Sequence, residues 1–344
     1  MATEPASSEV DDPVAYFVDE MAYHGRTERT KHAYERVLRE FEAFLEAERG
    51  ASVPTATRRD CMAWVHSIRG DAAPSTVATY ASYVHRFFGY MNRVGALDDD
   101  PMALVVEEMD ESIDTNPDRR EVSVPRMREF VATITHPLDR ALIVTLLKTG
   151  VRVGELSNLD LRDLYLDDVA VRAAYDVAPR PAIDERPDSL YVPSEPSRGA
   201  TYNGEERTAS NKRKRSTVIP VDGELKRVLG AWLAVRPDTD SPASPLFSST
   251  AEWGRRVTPS MVRAIVTDHA RSAGWHRPGG GAEENVTPHY FRHFFTTHLR
   301  DRTGDRGVVK YLRGDVADDV IDTYTHNWGD QVREVYERHI YSIT

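Results

Sequence analysis

The 344-residue sequence has a single cysteine, Cys61, which excludes a disulfide framework within the chain and any cysteine-rich zinc module. It is poor in lysine: of its 44 basic residues six are Lys and 38 are Arg. Long apolar runs are missing as well. The longest strongly apolar run, residues 141–147, is far shorter than the ~20 residues a membrane-spanning helix needs. The first residues, MATEPASSEVDDP, are acidic and hold no hydrophobic stretch. No secretory signal is therefore expected, and the reading is of a soluble, cytoplasmic protein with no membrane partner. No internal repeat or low-complexity segment stands out. What is present, 40% hydrophobic and 9% aromatic residues, argues against wholesale disorder, and the length suits two domains with a core each.

A formal net charge of −11 counts at first sight against an anionic partner such as nucleic acid. Its distribution reverses that reading. Residues 1–25 carry six acids and no Lys or Arg, and residues 98–121 carry ten acids against Arg119 and Arg120. Residues 26–93 hold 11 basic and 8 acidic residues, and residues 201–344 hold 21 and 19, so both stretches stay slightly basic. Abundant Asp with scarce Lys is the composition expected of a chain adapted to a salty cytoplasm, although a GC-rich genome also favours Arg.

Apolar spacing predicts a helix over 27–49 through Ala33, Val37, Leu38, Phe41, Phe44 and Leu45, with Thr27 or Thr30 as cap and Gly50 as stop. Cys61, Trp64, Val65 and Ile68 mark a second helix, and Val77 to Met91 a third. The acidic stretch containing Asn116-Pro117 reads as a linker. Beyond it, helices are expected at 125–135, 138–149 and 153–158, then strand character over 164–174. A Pro-, Ser- and Gly-rich segment over 176–211 reads as a long loop or insertion. A short strand at 217–221 follows, then helices near 223–235, 259–273, 288–301, 306–313, 316–326 and 329–340.

Four features carry chemistry. TGVRVGEL, residues 149–156, is a turn into a helix with Arg152 one turn before Glu155; alone, it fits a surface ion pair. NKRKR, residues 211–215, is a basic run before a strand, which alone fits a solvated loop or a localisation patch. In TPHYFRH, residues 287–293, Pro288 near the helix start puts His289 and Arg292 on one face. His289 and His293, four apart, also fit metal binding, but no HExxH pattern or Cys partner accompanies them. DTYTH, residues 322–326, holds Tyr324, which alone fits a packing residue.

Together, the order R…K…HxxR…Y, with 32 residues from Arg292 to Tyr324, resembles the tyrosine recombinase (phage integrase) family, in an archaeal or halophilic form. TGVRVGEL resembles the family's TGLRxSEL box, PHYFRHFFTTHL its HxLRHxFATHL box, and DTYTH the segment holding its nucleophile. The resemblance covers about residues 122–330; residues 10–108 resemble the family's first domain only by length, helix pattern and position. It implies a mainly α fold with a small antiparallel β-sheet. A helical core-binding domain (10–108) that binds DNA would be followed by an acidic linker (109–121) and a mixed α/β catalytic domain (122–344) with an insertion at 172–210.

The implied reaction is site-specific cleavage and rejoining of double-stranded DNA by a tetramer, without metal or nucleotide cofactor. Arg152 and Arg292 suit a clamp on the non-bridging oxygens, because guanidinium stays charged and grips two oxygens at once. His289 adds a hydrogen bond. Tyr324, whose phenol has an ordinary pKa near ~10, becomes the nucleophile in that cationic site and forms a 3′-phosphotyrosyl link. The family's general acid is a Lys on a β-hairpin; counting back from Val218-Ile219-Pro220 places Lys212 there, with Lys214 as the alternative. Glu155 would buttress Arg152. The final segment, 331–340, is amphipathic, and in the family such tails often pack on a neighbouring protomer. Tyr336 and Tyr341 are rival nucleophiles that lack the TYTH surroundings.

Nine residues before Tyr324, where the family usually has His or Trp, stands Asp315. A carboxylate there would repel the phosphate unless Arg313 or Arg292 neutralises it. Two other readings stay open: relaxation of DNA in the manner of a type IB topoisomerase, and a non-catalytic DNA-binding regulator on a decayed recombinase scaffold.

Overall fold

The computed structural model describes residues 10–113, 118–175, 177–315 and 328–344, and the side chains of all but 328–330 among them. It divides into two compact units, Met1–Pro117 and Asp118–Thr344. None of the described helices is long and apolar enough to cross a membrane.

The first unit is helical: α1 (Pro13–Tyr23), α2 (Glu28–Phe44), α3 (Arg58–Arg69), α4 (Pro74–Arg93) and α5 (Ala103–Glu108). Side-chain caps start them. Asp12 accepts from the Ala15 amide at 2.9 Å and Thr27 from the Thr30 amide at 3.3 Å, each cap contributing about 1 kcal/mol. Gly50, at φ 61°, stops the second helical stretch in the left-handed region. On α4 the buried residues Val77, Ala81, Val84, Phe88 and Met91 recur at three- and four-residue intervals. They meet a core of edge-to-face aromatic pairs, Phe41 with Trp64 and Phe17 with Phe87. α1 carries no expectation from the sequence; Asp12-Pro13 is the start signal that marks it.

The second unit is built around α7 (Pro137–Thr149), in which every residue from Ala141 to Thr149 is buried: the short apolar run of the sequence is part of a central helix. Helices α6 (Val124–Ala132) and α8 (Val153–Ser157) flank it in sequence. The chain continues through β1 (Leu164–Tyr165), α9 (Val169–Ala174), β2 (Ser189–Val192), β3 (Thr201–Tyr202), β4 (Glu205–Glu206) and β5 (Thr217–Pro220). It ends with α10 (Gly223–Leu233), α11 (Pro259–Ser272), α12 (Pro288–Thr303), α13 (Arg306–Arg313) and α14 (Trp328–His339). α10 and α12 pack on α7. The sheet is antiparallel in the order β1-β2-β5, with Leu190 opposite Leu164 on one side and Ile219 on the other.

Two expectations need correction. The strand expected over 164–174 is only two residues long, because Asp168 caps the amides of Ala170 and Val171 at 2.9 and 3.1 Å and starts α9 instead. The stretch read as a loop over 176–211 supplies the central strand, β2, and the β3–β4 hairpin. That hairpin turns on Asn203 and Gly204, both at positive φ (54° and 81°), as a tight two-residue hairpin requires. Its return strand is anchored by Arg207, whose buried guanidinium meets the buried Asp160 carboxylate at 2.9 Å. Arg256 reaches both Asp160 and Glu205 at 2.6 Å. The helix expected at 316–326 lies outside the described residues.

The amphipathic 331–340 segment and the residues after it pack on their own unit, burying Val332, Tyr336, Tyr341 and Ile343. The Tyr336 phenol donates to the Lys148 carbonyl at 2.9 Å, and that of Tyr341 to the Leu147 carbonyl. Burial holds both phenols well above the ordinary range, so neither is placed to act as a nucleophile. The Lys148 ammonium, fully buried, contacts Asp222, Glu224 and the Tyr341 carbonyl, each at 2.6 Å.

Candidate active site

Three helix ends build the site. α7 stops at Gly150, in the left-handed region at φ 61°, where an added Cβ would run into the Phe295 ring. The turn this permits makes Arg152 the residue that precedes α8. Its own amide donates to Glu155 Oε2 at 2.9 Å and its guanidinium to Glu155 Oε1 at 3.0 Å. Glu155 is therefore locked behind Arg152 by backbone and side chain together.

α12 begins at Pro288 with Thr287 as its cap. That start leaves His289 exposed at the first turn and sends Arg292, one turn on, into the interior. Arg292 donates to the Gly150 carbonyl at 2.6 Å and to the Arg313 carbonyl at 3.0 Å, which joins all three helix ends. Burial, then the neighbouring Arg152 charge, lowers its pKa to about 10; it is still a cation at neutral pH.

α13 ends in a Schellman turn, the Gly314 amide donating to Tyr311 at 2.8 Å and the Asp315 amide to Lys310 at 3.0 Å. The turn points the Asp315 carboxylate at three guanidinium groups: Arg152 at 2.6 Å, Arg292 at 2.9 Å and Arg313 at 2.8 Å. Burial pushes this carboxyl up, but Arg292, Arg313 and Arg152 together hold it below the ordinary range, so it is an anion.

The basic run divides by side-chain direction. Lys212 and Lys214 are exposed, whereas Arg213 between them is buried. Arg213 donates to Glu155 at 3.1 Å, to the Leu312 carbonyl at 3.2 Å and to the Thr217 hydroxyl, and it packs where a Cβ on Gly314 would stand. Burial pushes the Glu155 carboxyl up, but Arg213 and then Arg152 hold it below the ordinary range. Four guanidinium groups thus surround two carboxylates, leaving an excess of two positive charges.

His289 faces this excess. Partial burial of the ring, then Arg119, Arg292, Arg313 and Arg152, lower its pKa below the ordinary value, so the free protein presents a neutral imidazole with one N–H to donate. His289 and His293 are joined by no third donor that could complete a metal site among the described residues.

The structure therefore brings Arg152, Glu155, Arg292 and Asp315 into direct contact, and sets His289 within the electrostatic reach of the arginines. Lys212 and Lys214 flank the cluster through Arg213 but make no polar contact among the described residues. Tyr324 lies outside the described residues. Arg213 is absent from the sequence-based set, whereas Arg313 and Arg292 both meet the Asp315 carboxylate, as its position in the sequence required. Four basic residues in a row, 212–215, gave no signal that would single out Arg213.

Family models match both units. One described as phage integrase family covers residues 120–329, and one described as phage integrase, N-terminal SAM-like domain covers residues 16–95. Tyrosine recombinase XerC of Pelobacter propionicus is 25% identical over 328 residues, 92% of each chain. Tyrosine recombinase XerD of Listeria innocua is 23% identical over 334 residues, 96% of this chain and 97% of the relative. Among solved structures, the integrase of transposon Tn1549 in complex with transposon right end DNA superposes with a TM-score of 0.64 at 18% identity, covering 94% of this chain and 98% of that one. A lambda integrase tetramer bound to a Holliday junction gives 0.62 at 13% identity, covering 90% and 78%; both likenesses bear on the fold. With more than half of the chain matched by the catalytic model alone, and the arginine cluster at its centre, the protein belongs to the phage integrase family.

Proposed function

We propose that the protein is a tyrosine-type site-specific DNA recombinase that cuts and rejoins double-stranded DNA through a 3′-phosphotyrosyl intermediate. The observation that carries this reading is the convergence of the Arg152, Arg292 and Arg313 guanidinium groups on one oxygen pair. A phosphodiester offers the same fork of two anionic oxygens, and its charge grows in the transition state.

In the proposed reaction the Tyr324 oxygen attacks phosphorus as its phenol gives up a proton to solvent water. The P–O bond to tyrosine forms, the bond to the 5′-oxygen breaks, and Lys212 protonates the departing oxygen. The phosphodiester bond is exchanged for another of similar energy, so rejoining needs no nucleotide. Neutral His289 donates to a non-bridging oxygen, and Glu155 keeps Arg152 in place. The first unit is read as the core-binding DNA-binding domain and the assembly on DNA as a tetramer, readings supported by the family's SAM-like match and by the tetrameric state named for the lambda integrase. A cytoplasmic location fits an enzyme of DNA. A salt-adapted source rests on the composition alone: the two relatives named above lend it no support, and full stability in dilute buffer would count against it.

A nicked suicide substrate that lets the 5′ product diffuse away tests the reading. The wild type should accumulate a covalent protein–DNA adduct on its cognate site, and Tyr324→Phe should form none. An adduct that persists in Tyr324→Phe removes Tyr324 as nucleophile, and its absence from the wild type on every tested site removes the reaction.

A further inference from the structure

The two carboxylates of the cluster occupy different places. Glu155 has a side-chain exposure of 0% and lies behind Arg152, as a buttress does. Asp315 has an exposure of 33% and stands in front, while Arg292, at 3%, is sealed beneath it. Arg292 Nη2 is committed: it donates to the Arg313 carbonyl at 3.0 Å and to both Asp315 oxygens at 3.0 and 2.9 Å. An incoming phosphate cannot receive that nitrogen's hydrogen bonds while Asp315 holds them.

Resting on the recombinase reading above, we propose that Asp315 is a positioning residue that holds Arg152, Arg292 and Arg313 converged in the free protein and then yields their shared seat to the two non-bridging oxygens of the scissile phosphate. Three cations within contact of one point repel one another and would splay without an anion between them. A carboxylate matches the charge and two-oxygen fork of a diester, so exchange leaves the guanidinium geometry unchanged. The clamp is then assembled before DNA arrives, and only a ligand that offers an anion at that point replaces the resident one. The carboxylate that looked out of place beside a phosphate is in this account its placeholder.

The probe is inorganic phosphate, titrated calorimetrically into the full-length protein at constant ionic strength, without DNA. Asp315→Asn, which keeps the shape and removes the charge, should bind phosphate at least about tenfold more tightly than the wild type, and adding Arg292→Lys should abolish that gain. Equal or weaker binding by Asp315→Asn, or a gain that survives Arg292→Lys, overturns the proposal. If Asp315→Asn fails to fold in phosphate-free buffer, phosphate should restore a cooperative melting transition where chloride of equal ionic strength does not; no restoration also overturns it. Because no DNA is cut, the outcome is separate from that of the suicide substrate: an adduct with unaltered phosphate affinity sinks the placeholder alone, whereas failure of the adduct sinks the recombinase reading.

Discussion

Arg213 and Glu155 form an ion pair of 3.1 Å in which neither side chain is exposed to solvent. The pair ties the loop that bears Lys212 and Lys214 to the element that carries Arg152. Removing one partner strands the other charge in the interior, which costs more than the pair itself contributes. Arg213→Met should lower the free energy of unfolding by about 3 kcal/mol. The double variant Arg213→Met/Glu155→Gln should recover part of that loss, because no uncompensated ion is left. Denaturant midpoints of the wild type, the two single variants and the double variant measure this directly; strictly additive losses would mean the two groups do not interact.

The two exposed lysines are chemically equivalent on paper and separable by leaving group. Lys212→Ala should slow adduct formation on an ordinary phosphodiester by about 10²-fold or more. The defect should disappear on a substrate whose bridging 5′-oxygen is sulfur, since a thiolate leaves without being protonated. Lys214→Ala should show neither the defect nor the rescue. The reverse pattern would hand the role of general acid to Lys214.

Acid should release residues 341–344. Glu224 accepts from the Ser342 hydroxyl at 2.5 Å and from the Ile343 amide at 2.9 Å, and it meets Lys148 at 2.6 Å. Burial raises its carboxyl, but the Lys148, Ser342 and Ile343 bonds outweigh that and lower it from 4.5 to about 2. A carboxyl depressed on folding contributes stability that is complete above its ordinary value and is lost as pH falls through the folded one. Glu224→Gln should therefore be less stable than the wild type near neutral pH, and the two unfolding curves should converge as pH drops from about 4.5 toward 2. A gap that stays constant over that window would show that the charge of Glu224 is not what holds the segment.

How much of this was legible in the sequence depended on whether a residue's role is local. Helices such as α2 and α4 announce themselves through apolar spacing and a capping Thr or an N-terminal Pro, because the forces that form them act within a few residues. Arg152 and Arg292 were legible for a different reason: each short box alone fits a bland role, but the order R…K…HxxR…Y along the chain resembles the phage integrase family. β2 was not legible. Ser189-Leu190-Tyr191-Val192 is a four-residue strand between Pro- and Asp-rich turns, and its centrality comes from two distant partners, Leu164 and Ile219. Asn203-Gly204 does carry a hairpin signal, but it lies inside a segment whose overall composition is that of a loop. Asp315 could be located but not interpreted, because what it does is decided by Arg152, 163 residues away in the chain.

Lys148 and Arg152 sit four residues apart, across the Gly150 turn. One donates to the Tyr341 carbonyl at 2.6 Å; the other reaches the Asp315 carboxylate at 2.6 Å. The last turn of α7 is thus a shared abutment, and a disturbance of the seat occupied by Tyr341 has only the length of that turn to travel before it reaches the arginine. Substitutions that loosen the far end of the chain should be judged by what they do to the aim of Arg152 as well as by what they do to the melting point.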